Sequence, residues 1–343
     1  MSSLLSRLGA DLPILAAPMA GGPSTPALVA AAARAGGLGF LAAGYQAPRA
    51  LAGQIDAVRA RGVPFGVNLF APNPVPISTR AYRAYAAVVQ PEADRYGLEL
   101  PGAHPVEDDD AWTDKLDLLL SSPVPWVSFT FGLPGRAVVT ALRDAGTTVL
   151  QTVTSAGEAR RAADAGVDAL VVQAAAAGGH SATLTPAEPP PSLPLPELIA
   201  EVRRAAGLPI IGAGGIATAD DVAATIRAGA EAAMVGTVLL RAVESGASGP
   251  HQAALTDPAF DGTVVTRAFT GRPARALRND FVDRFDAVAP AGYPALHHLT
   301  SPLRKAATAA GDTRLIHLWA GTGHRHARAE PVAETFGRLS GHL

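Results

Sequence analysis

The sequence predicts an α/β protein, a closed (β/α)8 TIM barrel with an insertion after the third strand and a C-terminal helical extension. Three observations carry this. First, one phrase recurs: an Ala/Arg-rich helical stretch, a glycine, then a short apolar run. It ends at Gly36, Gly62, Gly146, Gly166, Gly207 and Gly229. Glycine just past a helix takes the left-handed conformation cheaply, and a run apolar on both faces suits a buried parallel strand. Second, eight such runs occur, at 14–17, 38–41, 65–69, 126–130, 147–152, 169–173, 210–213 and 232–235, which favours a closed barrel over an open sheet. Third, no Gly-x-Gly-x-x-Gly follows the first run, which argues against a dinucleotide-binding fold.

Helices are expected between the strands at 26–35, 48–61, 135–145, 155–165, 194–205 and 218–228. Ser155 ahead of Glu158 reads as a capping box, and Thr218 precedes Asp220 and Asp221 in a helix's first turn. Two stretches break the rhythm. Residues 70–125 are too long for one connection, open on Pro72, Pro74 and Pro76, and carry helical patterns near 78–95 and 110–121; they read as an insertion or lid. Residues 184–196 hold six prolines, a stiff loop after the sixth strand. The expected organisation is therefore a barrel at 1–69 and 126–242, an insertion at 70–125, and an extension at 243–343 packing on the barrel.

Composition narrows the function. Of 343 residues 48% are hydrophobic and 17% charged, enough for a large core and against disorder. The net charge of −2 gives no electrostatic case for nucleic acid or an anionic membrane. There is no cysteine, which excludes disulfides, thiolate metal sites and a Cys nucleophile. Residues 1–7 lack a basic segment followed by an apolar run, and no stretch approaches the roughly 18 apolar residues of a membrane span. A cytoplasmic protein is expected, and a homodimer is left open.

Chemistry is expected where the strands end. Gly212, Ala213, Gly214 and Gly215 close the seventh run, and Gly236 with Thr237 closes the eighth. Phosphate commonly sits there in barrels, held by backbone N–H groups; the same glycines would also serve plain tight turns. Asn68 and Gln173 end the third and sixth runs, where a carboxamide either meets the edge of a heteroaromatic ring or braces a loop. Ala17, Pro18 and Met19 could line a ring face or simply fill core. Small residues lead through Gly178 and Gly179 to His180, the one acid–base candidate, which could instead only hydrogen-bond a ligand. His297, His298, His324 and His326 lack metal-site spacing and read as surface or loop residues, so no metal is expected. The acidic run from Glu107 to Asp110 reads as a solvated helix start.

These motifs, taken in order, resemble the nitronate monooxygenases, formerly 2-nitropropane dioxygenases. The matching stretches are Pro13 to Gly22, Phe65 to Phe70, Val127 to Gly132, Gln173 to His180, Ile211 to Ile216, Met234 to Thr237, Ala268 to Arg275 with Arg278-Asn279, and Leu318 to Gly321. The resemblance implies a non-covalent FMN with its phosphate on Gly214, Gly215, Gly236 and Thr237. Met19, Asn68, Gln173, Gly178 and Gly179 would lie along the ring and ribityl chain, and His180 near the reactive face as base. It implies oxidation of alkyl nitronates, and of nitroalkanes where these are accepted, by O2 to a carbonyl compound and nitrite. The alternative is an FMN-dependent NAD(P)H reductase of a quinone or enoyl thioester; a flavin-binding protein without turnover is a third. The family pattern commonly has Glu and Gly where this chain has Ala176 and Ala174.

Overall fold

The computed structural model describes residues 9–343; the N-terminal stretch from which the lack of a targeting signal was read lies outside them. Six strands come first: β1 (Ile14–Ala16), β2 (Leu38–Ala42), β3 (Phe65–Ala71), β4 (Trp126–Phe131), β5 (Thr148–Val153) and β6 (Ala169–Gln173). A two-residue strand β7 (Gly179–His180) precedes β8 (Ile210–Ala213) and β9 (Ala232–Val235). All except β7 form a closed parallel barrel in which β9 returns to β1, with Ile14 opposite Ala233 and Leu15 opposite Met234. The eight strands are those the apolar runs predict. Leu15, Leu38, Phe40, Leu150, Val171, Ile211 and Met234 fill the interior. Alternate residues such as Ile14, Leu41, Val67 and Val172 join the larger core beneath the helices, the period-2 split a double-sided parallel strand requires.

The helices α1 (Pro26–Arg34), α2 (Pro48–Arg59), α3 (Thr79–Asp94) and α4 (Trp112–Ser121) precede β4. They are followed by α5 (Arg136–Asp144), α6 (Ala156–Ala165), α7 (Leu195–Ala205) and α8 (Ala219–Arg227). Thr218 and Asp221 cap α8 reciprocally. The box expected on α6 is only half made: Ser155 caps Glu158 N–H, but the Glu158 carboxylate turns away to accept from Thr154, the Thr183 hydroxyl and Leu184 N–H.

The rest of the chain holds α9 (Gly249–Ala254), β10 (Thr263–Thr266), β11 (Ala274–Leu277), α10 (Asp280–Phe285), α11 (Ala295–Ala309) and α12 (Val332–Leu339). Two barrel helices sit in segments that read as additions to the barrel. Leu116 and Leu119 of α4 belong to the barrel core, and α4 lies between α2 and α5 as the crossover helix for β3. The eighth position of the ring is taken by α12, against α1 and α8, with Val332, Phe336 and Leu339 fully buried. Gly37 allows this: a Cβ there would stand 2.5 Å from the Phe336 ring and 2.2 Å from Ile14 O.

A second core forms between α3 and the segment beyond β9. Tyr82, Tyr85 and Val89 pack with Phe269, Phe281, Leu296, Leu299 and Leu303, and Tyr85 Oη donates to Ala268 O at 2.6 Å. Beside it, β10, β11 and β7 make a three-stranded antiparallel sheet with Ala274 opposite His180. The segment after β9 thus builds a roof over the C-terminal ends of the barrel strands and pairs with the histidine strand. No helix among the described residues is long and apolar enough to cross a membrane.

Candidate active site

One cavity of about 1140 Å³ lies between the strand ends and the roof. It is lined by Ala17, Pro18, Met19, Asn68, Gln173, Gly178, Gly179, His180, Ala213, Gly214, Gly215, Gly236 and Thr237. Of the expected site residues only Gly212 is absent from its wall. A Cβ on Gly212 would meet Thr225 and Ile199, so this glycine serves the packing of helices on β8.

The floor is made of backbone. Gly214 and Gly215 have φ of +104° and +80°, and a Cβ on Gly214 would stand 2.8 Å from Ala174 O. The N–H groups of Gly214, Gly215, Gly236 and Thr237 donate to no acceptor among the described residues. Four free amides at two adjacent strand ends are a ready cradle for an anion. Thr237 Oγ1 accepts from Gly321 N at 2.9 Å, so its proton remains available to a ligand. Gly178 and Gly321 cross closely; a Cβ on Gly178 would lie 2.5 Å from Gly321 N. Ala176 belongs to this crossing: its Cβ lies 3.0 Å from where Gly215 would carry one.

The two carboxamides behave differently. Asn68 is buried and its Nδ2 donates to Ser128 O, Ser128 Oγ and Thr130 Oγ1. The backbone acceptor fixes the amide's sense, leaving Oδ1 toward the cavity. Gln173 lines the cavity too, but it braces the loop. Its Nε2 donates to His180 O and its Oε1 accepts from Ala182 N at 2.8 Å.

The roof is aromatic and cationic. His180 Nε2 bonds Thr270 Oγ1 at 2.9 Å, and the imidazole sits among Phe131, Tyr293 and Trp319 with ring centroids 5.2–5.8 Å away. Burial, then the Arg272 and Arg304 guanidinia, push its pKa down to about 3, so the ring is neutral at physiological pH. Tyr45 stacks on His297 at 4.0 Å and shares a hydroxyl contact with Tyr293 at 3.1 Å. Tyr45 and Phe131 both hold positive φ, +64° and +79°, strained for aromatic residues. Arg304 donates Nε to Thr300 and Nη2 to His297 O, while its Nη1 engages no acceptor and no carboxylate pairs with it among the described residues. Burial lowers its pKa to about 10, and it stays charged.

Several of these groups differ from the sequence expectation. His297 lies on the cavity wall instead of the surface, and His324 is buried. The acidic run is exposed from Glu107 to Asp109 and leads into α4, with Asp109 accepting from Trp112 N, and Asp108 to Asp110 also line the cavity. Asp108 pairs with His298 at 2.9 Å, and Asp110 pairs with the buried Lys115 at 2.7 Å while accepting from Tyr45 N. Tyr45, Tyr293, Arg304 and Trp319 were missed; of these Trp319 stands inside a matching motif, and Arg272 and Thr270 stand inside another. No cluster of metal-ligating residues occurs among the described residues.

The family model for nitronate monooxygenase matches residues 2–340. A probable nitronate monooxygenase of Staphylococcus aureus is 34% identical over 334 residues, 96% of this chain and 93% of that protein. Among solved structures, a nitroalkane oxidase from Streptomyces ansochromogenes superposes with a TM-score of 0.93 at 47% identity, covering 99% of this chain and 98% of the other. FabK from Thermotoga maritima superposes at 0.76 with 26% identity over 99% and 95% of the two chains. With the barrel and the cavity in agreement, this chain belongs to the nitronate monooxygenase family of oxidoreductases.

Proposed function

We propose that the protein binds FMN and oxidises alkyl nitronates with O2 to a carbonyl compound and nitrite. The observation that carries the substrate is the roof's charge: the buried Arg304 guanidinium on the cavity wall, whose Nη1 has no acceptor among the described residues, beside a neutral imidazole bonded to a threonine hydroxyl. Such a roof favours a substrate that arrives as an anion. A nitronate is already deprotonated, so the protein need not remove a proton.

The residues present fit the flavin. The amides of Gly214, Gly215, Gly236 and Thr237 would hold the phosphate, and glycine at 214 leaves the room a Cβ would take. Ala17, Pro18 and Met19 offer an apolar face, and Asn68 Oδ1 an acceptor for a ring N–H. Bound flavin would supply electron transfer between the nitronate and oxygen. Arg304 would draw the anion's charge to the roof. Phe131, Tyr293 and Trp319 would exclude water around it, and His180 would offer one ring nitrogen to the nitro oxygens or to a substrate proton.

A visible spectrum and oxygen uptake with a preformed alkyl nitronate test the reading. Fast anaerobic bleaching by NADH, with none by nitronate, would replace it with a reductase. In His180→Asn, turnover of a neutral nitroalkane falls by roughly 10²-fold while a preformed nitronate is still oxidised; equal loss on both would give His180 a binding role.

A further inference from the structure

The strand and loop that carry His180 are gripped from two sides by opposite buried charges. On one side, Arg272 donates Nε to Ser181 O at 3.2 Å and Nη2 to Thr183 O at 2.5 Å. On the other, Glu158 Oε1 accepts from Thr183 Oγ1 at 3.0 Å and Leu184 N at 2.6 Å. Its second oxygen accepts from Thr154 N and Oγ1, tying the segment to the end of β5 and the start of α6. Arg272 is 0% exposed and Glu158 6%. They form no direct ion pair among the described residues; the peptide groups of 181–184 stand between them, carbonyls toward the cation and N–H and O–H toward the anion.

This arrangement breaks a local rule. Glu158 has the sequence position to complete a capping box on Ser155, yet its carboxylate reaches across to another loop. Local patterns that give way to a distant contact mark places where a site is being built. Arg272 reaches the imidazole by a second path. Its guanidinium lies 4.1 Å from the centre of the Phe131 ring, whose edge faces His180, and Phe131 holds the left-handed backbone noted above. Thr270, the imidazole's hydrogen-bond partner, is two residues before Arg272 and contacts its backbone.

We propose that Arg272 and Glu158 are positioning residues which, acting together through the 181–184 peptide segment, fix the orientation of the His180 ring over the cavity. The inference rests on His180 serving the reaction as proposed above, but the grip itself can be tested apart from turnover. Neither residue lines the cavity, so neither touches substrate. Arg272 is not replaceable by lysine in this role, because an ammonium has neither the fixed fork that reaches the 181 and 183 carbonyls from two nitrogens nor a planar face to stack on an aromatic ring. Gln at 158 keeps the size but presents an N–H where Leu184 or Thr154 also presents one.

The test uses Glu158→Gln and Arg272→Lys, each in the native and the His180→Asn backgrounds. The imidazole ¹⁵N resonances of His180, assigned among the nine histidines by their loss in His180→Asn, report ring order without any turnover. In the native protein they show one tautomer; in each variant they move toward tautomer-averaged values. On a neutral nitroalkane each variant lowers kcat roughly tenfold, with KM, FMN affinity and nitronate turnover nearly unchanged. In the His180→Asn background neither variant lowers nitroalkane turnover further. Unchanged His180 resonances in both variants would overturn the proposal, as would equal losses in both backgrounds, the mark of a general structural role. If Arg272→Lys does not fold, Glu158→Gln decides on the same readouts. A His180→Asn protein with full nitroalkane turnover would refute the role of His180 and leave the resonances to judge the grip.

Discussion

The floor and the roof of the cavity are built by different means. The floor, at the ends of β8 and β9, offers amide N–H groups and no charged side chain; its shape depends on Gly214, where a Cβ would stand 2.8 Å from Ala174 O, and on the positive φ of Gly214 and Gly215. The roof offers guanidinium, imidazole and phenol groups, mostly contributed from beyond β9, with Arg304 and Tyr293 buried and His180 and His297 half-buried. Backbone recognises a constant group such as phosphate, because it cannot change without changing the fold. Side chains can be exchanged one at a time, so discrimination between substrates belongs to the roof.

The largest effect is expected at the floor. Gly214→Val puts branched carbon against Ala174 O at a φ of +104° and should yield a colourless protein that takes up no FMN in a fluorescence titration. A yellow, fully loaded variant would mean that the phosphate lies elsewhere, and the contrast between the two surfaces would fail.

A smaller and more selective change is expected at the roof. Arg304→Met removes the one free guanidinium N–H on the wall, and a charge-assisted hydrogen bond is worth about 1.5–3 kcal/mol, so KM for a nitronate should rise about tenfold or more. Flavin content should stay at one per chain. Loss of flavin with unchanged KM would assign the cation to the cofactor instead.

The smallest effect is one of stability, and it also belongs to the roof. Burial holds His180 at about 3 and His251 at about 4, and His297 and His317 well below the usual range, so all four stay neutral when folded. An unfolded chain takes up those protons below about pH 6.5, so the stability they permit is complete above that value and is lost as pH falls toward 4. Calorimetry between pH 7.5 and 5 should show a falling Tm, and the His251→Asn variant a shallower fall. A flat profile would place these rings in water.

How much could be read from the letters follows the same division. The barrel strands and the glycine turns that end β8 and β9 were legible because glycine after an apolar run is a local signal of a tight turn. Gly212 was misplaced because a sequence does not say which side of a strand an absent side chain would face. Gln173 was ambiguous for the same reason: a carboxamide at a strand end can serve ligand or loop, and here it bonds residues 180 and 182. The roof was opaque. Tyr45 meets His297, and Arg272 meets Phe131, across separations no periodic pattern encodes. The histidines at 297 and 324 looked solvated because polarity is a poor guide where tertiary contacts do the burying.

The eighth helix of the ring is α12, almost a hundred residues after the strand it should follow. On the ribosome, a nascent polypeptide that has already displayed every barrel strand still has an open seam beside β1. The intervening stretch, which supplies the cations and aromatic rings, must emerge before that seam is sealed. Closure of the helical ring is thereby deferred until translation has passed residue 339, and a prematurely terminated product is left with an unsealed scaffold.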